Sequence, residues 1–423
     1  MLRIDNAVWM RPDGCFDVGT ILTSEEGICL LPVGTALPRC DEVIDGYGSM
    51  VIPGLVDPHT HLREPGQAYK EGISNGSCAA LAGGVTTVLD MPNNIPPTTN
   101  AARLEAKRAL FQRKSRVHWG LHVQASPEVN EPLDTDRIAS VKVYMARSST
   151  DSAINTPARL REIFAAYPRV SVHAEDEACF PEDRSGPHHL ARPRDAVRSA
   201  LQKIEAALEG LAPGDRPRVI LCHISTADEL VWLRGMKARG FDIWGETAPH
   251  YSIFTQSAAM RERGRLRVNP PIRRREDQAA INAAIEDGTI DFVGSDHAPH
   301  SPAEKTSAQP PSGIAGIEWL APWLYSFFER GRISSRRFLD LGLRNAARCY
   351  GLDVTLGVED DAAANLTLIR DGNTRRVVTK ARWHPYRGRR PLGSSITATV
   401  VDGHLAYHDG DFPGEPRGRE VYP

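Results

Sequence analysis

The sequence predicts an α/β protein: a (β/α)8 barrel carrying a small composite β-sheet module built from the N- and C-terminal segments. Three observations predict it. Short β-rich runs alternate with longer amphipathic stretches from about residue 52 to 350, the runs number eight, and both ends of the 423-residue chain break the alternation.

The eight runs are residues 51–57, 85–89, 117–123, 140–145, 170–173, 219–223, 241–245 and 290–294. Between them, stretches such as 194–211 and 278–286 place apolar residues at helical rather than alternating spacing. These elements assign 51–354 to the barrel. Residues 1–50 and 355–423 instead read as short alternating strands broken by turns such as Asp402-Gly403 and Asp409-Gly410, and are assigned to the composite module. No internal repeat or low-complexity segment interrupts the pattern, and the proline-rich pieces 94–98 and 309–313 read as loops.

Composition narrows the function classes. Lys and Arg total 51 against 53 Asp and Glu, a net charge of −2, so no dominant sign steers the chain towards nucleic acid or a membrane surface, and a small-molecule partner is expected. The seven cysteines are scattered without a C-x-x-C pair, which suits a reducing compartment better than a disulfide framework. The first residues lack the pattern of a signal peptide, and no apolar stretch approaches a membrane span, so the expected location is cytoplasmic.

The chemistry starts at His59-Thr60-His61. Residues two apart on a strand face the same side, so the two imidazoles address one space. Lys142, His173, His223 and Asp296 fall at the ends of four other strands, where barrel active sites gather, and independent core histidines have no reason to recur there. An ammonium among metal ions is costly, so the charge of Lys142 must disappear. As a neutral amine it can capture carbon dioxide, and the resulting N6-carboxylysine offers two oxygens to bridge two metals. Asp151 is the alternative bridge. The mixed nitrogen and oxygen donors favour two zinc ions, and Asp296 is placed to take a proton from an attacking hydroxide and deliver it to a departing nitrogen.

Seven motifs then carry a resemblance: VIPGLVDPHTHLREPG at 51–66, MPNNIPP at 91–97, VKVY at 141–144, VHAE at 172–175, CHIS at 222–225, VNPP at 268–271 and SDHAPH at 295–300. Together they resemble the amidohydrolase superfamily and, within it, the dihydroorotases, over nearly the whole chain. The resemblance implies His59, His61, Lys142 and Asp296 on one metal, and Lys142, His173 and His223 on the other. Arg63 has a guanidinium fork suited to a carboxylate, and the resemblance places Asn93 and His300 beside it. Allantoinases carry Asn where Arg63 stands. Asn269 and the loop 311–316, with Gly313, resemble the elements that read the amide edge of the substrate ring. Residues 146–150 resemble a closing loop whose Ser149 or Thr150 would contact substrate, and Cys222, Glu246 and His250 are read as supports for the ligands.

The implied activity is the reversible cyclisation of N-carbamoyl-L-aspartate to (S)-dihydroorotate in pyrimidine synthesis. The alternatives are another cyclic amidase, or a silent homologue that scaffolds aspartate carbamoyltransferase. A homodimer is expected, with association with that transferase as a further possible partnership.

Overall fold

Eight parallel strands close into a barrel: β1 (Leu55–Thr60), β2 (Val85–Asp90), β3 (His118–Leu121), β4 (Val141–Tyr144), β5 (Arg169–His173), β6 (Arg218–Leu221), β7 (Ile243–Thr247) and β8 (Phe292–Val293). The computed structural model describes residues 1–126, 133–147, 153–372, 377–386 and 393–422. β1 pairs with β2 and β2 with β3. After His122 the third strand resumes as Val123–Gln124, which pairs with β4, and pairing continues in order through β8. A single bridge between Thr60 and His297 closes the ring, backed by the His61 amide donating to the His297 carbonyl at 2.8 Å.

The helices form where the spacing placed them. Arg194–Glu209 buries Ala196, Val197, Ala200, Leu201, Ile204, Ala207 and Leu208, a stripe at three- and four-residue intervals facing the barrel core. Ala227–Ala238 begins in a capping box in which Thr226 and Glu229 satisfy each other's backbone amides. No helix among the described residues is long and apolar enough to cross a membrane.

The chain ends build one eight-stranded sheet, in which Leu2–Met10 lies centrally and Leu366–Asp371, Ser394–Val401 and His404–His408 extend one side. Residues 51–53, read from the sequence as the head of the first barrel strand, belong to this sheet. The strand Ser49–Pro53 pairs antiparallel with Leu366–Asp371 and parallel with Leu2–Met10. Gly54 makes the break: a Cβ there would meet the Thr86 side chain at 2.2 Å.

Two pieces of the C-terminal segment leave the sheet. Val421 and Tyr422 are buried in a cluster with Leu89, Phe292 and Tyr350 of the barrel, held by a bridge from Trp119 to Glu420. Residues 377–386 strap the barrel's flank, where Glu318 accepts from the amides of Val378 and Thr379 at 2.9 and 2.7 Å, and the Trp383 indole donates to the His300 carbonyl at 2.9 Å.

Candidate active site

His59 sits near the end of β1 and His61 just beyond it. Each ring is held by its outer nitrogen: His59 Nδ1 lies 2.7 Å from Glu246 Oε1, and His61 Nδ1 lies 2.6 Å from Asn93 Oδ1. Their Nε2 atoms face the same oxygen, Asp296 Oδ1, at 3.6 and 3.3 Å. Anchored outer nitrogens and converging inner ones are what a metal-binding histidine pair requires. Burial pushes the His59 imidazole well below its ordinary pKa, keeping it in the neutral form that donates a lone pair.

A second cluster stands beside the first. His173 ends β5 and His223 follows β6 by two residues, with His173 Nδ1 at 2.9 Å from His223 Nε2 and the His59 and His223 ring centres 5.3 Å apart. Burial lowers both of these imidazoles as well. The remaining His223 nitrogen, Nδ1, is buried with no hydrogen-bond partner among the described residues, the kind of orphaned donor atom a bound ion would satisfy.

Lys142 lies inside β4, at its second residue, where the sequence reading put it at the strand's end. It is fully buried, and its Nζ contacts Cys222 Sγ at 2.9 Å. Burial pushes the Cys222 thiol up to about 12, so the sulfur is uncharged at neutral pH, and no carboxylate among the described residues forms an ion pair with the Lys142 Nζ. The donor set therefore fits divalent ions. His59, His61 and Asp296 form one compact group, and His59, Cys222 and Glu246 a second that shares His59.

Above these residues opens a cavity of about 510 Å³. His59, His61, Arg63, Asn93, His173, His223, Asn269, Asp296, His300 and Gly313 all line it, so ten of the residues singled out in the sequence meet in one place. Lys142 lies beneath its floor. Ser149, Thr150 and Asp151 lie outside the described residues. Arg63 does not reach the cavity by continuing the alternation of β1. β1 stops at Thr60, and Arg63 turns inward with φ of 63°, in the left-handed region.

Comparison with known proteins places this architecture. Residues 50–208 match the amidohydrolase family. A dihydroorotase of Lactobacillus gasseri is 30% identical over 407 residues, covering 91% of this chain and 94% of that one, and a dihydroorotase of Methanosarcina acetivorans is 32% identical over 82% of this chain and 80% of that one. The chain belongs to the amidohydrolase family. Its relatives place it among the cyclic amidohydrolases, for an allantoinase of Streptomyces avermitilis is also 29% identical, over 97% of this chain and 96% of that one. An L-hydantoinase from Arthrobacter aurescens shares the fold, with a TM-score of 0.86 at 22% identity over 100% of this chain and 99% of that one.

The same cavity is also lined by Arg63, Asn269, His300 and Gly313. Arg63 is buried, with its Nη2 3.2 Å from His300 Nε2, and pairs with no carboxylate among the described residues. Glu64, its neighbour in sequence, turns away to Lys114 and the Ile73 amide. On the other side Asn269 accepts from Ser312 Oγ at 2.9 Å. Gly313 has φ of 127°, where a Cβ would sit 2.5 Å from the Ala298 carbonyl. Cys222 contacts Lys142, Glu246 holds His59, and His250 Nε2 lies 3.9 Å from Asp296, all as supports.

Sequence reasoning missed several cavity residues. Arg192 binds Glu175 at 2.6 Å, and Glu175 in turn meets His173 Nε2 at 3.0 Å, so this arginine orients His173 through a carboxylate. Lys70, His188 and Arg267 also line the cavity. The only signal for these was residue type, because each lies outside the strand ends that guided the search.

Proposed function

We propose that this amidohydrolase interconverts (S)-dihydroorotate and N-carbamoyl-L-aspartate. The observation that carries the reading is Arg63: a buried guanidinium facing the cavity, next to His300 and without a paired acid among the described residues, is a receptor for a substrate carboxylate. Allantoin, hydantoin and dihydrouracil carry no carboxylate to meet it. The dihydroorotases among the relatives support the same choice.

His59, His61 and Asp296 would hold one zinc ion, and His173 and His223 the other, with Lys142 bridging them as a carbamate. Zinc bound there supplies an acidified water and a positive charge at the ring carbonyl. The chain's own residues do the rest. Arg63 binds the carboxylate with His300 alongside, Asn93 ties that pocket to His61, and Asn269 with the Gly313 backbone faces the amide edge. Asp296 carries the proton from the attacking water to the departing ring nitrogen through its carboxylate oxygens.

Purified protein, metal-replete and metal-stripped, should be assayed on dihydroorotate, dihydrouracil, hydantoin and allantoin. We expect activity on dihydroorotate that disappears on stripping and returns with zinc. Turnover confined to a substrate without a carboxylate would refute the assignment.

A further inference from the structure

Beside Arg63 stands a second buried cation that the reaction scheme leaves idle. Lys70 Nζ lies 3.1 Å from His300 Nδ1 and 3.0 Å from Glu304 Oε1. An ammonium has only donors, so Nδ1 must present its lone pair. Burial, with Arg63 and Lys70 adjacent, pushes the His300 imidazole down to about 2, so the ring is neutral and carries one proton. That proton is therefore on Nε2, which donates to the Ser312 carbonyl 3.0 Å away, while Arg63 Nη2, another donor, lies 3.2 Å from the same nitrogen without a lone pair to meet.

We propose that Lys70 is a positioning residue of the carboxylate pocket, which fixes His300 as the Nε2–H tautomer so that Arg63 Nη2 is not spent on a ring lone pair and stays available to an anion. Without Lys70 the ring can move its proton to Nδ1 and turn a lone pair to Arg63 Nη2, where it competes with a carboxylate for that donor. The pairing agrees: Glu304 takes up Lys70, and Arg63 stands beside the neutral ring without a carboxylate among the described residues. Glu304 is itself held by the Ser301 amide and hydroxyl in a capping box, so the Lys70 head has a fixed anchor. This role rests on the dihydroorotate reading above.

The test joins kinetics to a direct view of the proton. Lys70→Met should raise KM for dihydroorotate and Kd for orotate about tenfold while kcat stays within about twofold, and Lys70→Arg, which keeps a donor-only cation, should recover most of the loss. In protein labelled with 15N-histidine, the His300 signals, identified by their absence in His300→Gln, should show the proton on Nε2 in the parent and on Nδ1 or shared in Lys70→Met. A fall in kcat at unchanged KM, an Arg variant no better than the Met variant, or a parent ring protonated on Nδ1 would each overturn the proposal. If the Met variant does not fold, the parent spectrum and the Arg variant still decide. A protein that neither turns over dihydroorotate nor binds orotate would refute the substrate reading, and the spectrum would then judge the Lys70–His300 contact separately.

Discussion

Three residues that carry the chemistry share a backbone conformation that side chains rarely adopt: Arg63, His223 and Asp296 have φ of 63°, 40° and 47°. Such positions cost about 1–3 kcal/mol each and persist where the surroundings dictate them. Here each follows a strand and swings its side chain off the pleat into the cavity. Arg63 therefore shares the cavity with His59 and His61 through a backbone turn rather than through strand alternation. Arg63→Met should lower kcat/KM for dihydroorotate by at least about a hundredfold, as expected for losing a buried charge that binds an anion, and leave zinc content intact, as metal analysis would show. Lys142→Met should instead lower zinc content and abolish activity with it, as metal analysis and assay together would show. If Lys142 acts as a carbamate, reconstitution of stripped protein with zinc should also be faster with bicarbonate present than in carbon dioxide-free buffer. Equal rates would exclude that chemistry. Lys70 was illegible in the sequence because its partner, His300, is 230 residues away and nothing local marks the contact.

At the scale of elements, the barrel strands were legible because strands buried on both faces must read as apolar runs. The strap 377–386 was not legible, since its anchors are single polar groups such as Glu318 and Glu71 on distant elements. The loop carrying Gly313 is secured in the same manner. Lys305 is buried and donates to the carbonyls of Arg267, Pro311 and Gly313 at 2.9, 2.8 and 2.9 Å. Lys305→Met leaves those three acceptors without their donor. It should raise KM about tenfold and lower the melting temperature by several degrees, and an unchanged KM would show that this loop does not touch the substrate.

Across the whole molecule, two buried acids join the strap to the barrel. Burial pushes both Glu71 and Glu318 up to about 7 from an ordinary 4.5. Between those values the native state keeps protons that the unfolded chain has released. Their contribution to stability is thus complete at low pH and is lost as pH rises to about 7. Glu318→Gln removes one of these titrations, so its melting temperature relative to the parent should improve by about 2–4 °C between pH 5 and pH 8. Parallel curves would show that no such proton is held. The ring of strands has its own weak point, for a single bridge from Thr60 to His297 joins the first strand to the last. His59 and His61 stand on one side of that seam and Asp296 on the other. An ion shared by these three would act as a clasp on the hoop. Its removal should therefore do more than silence the enzyme: it should let the amides along β1 and β8 exchange with solvent ahead of the rest of the barrel.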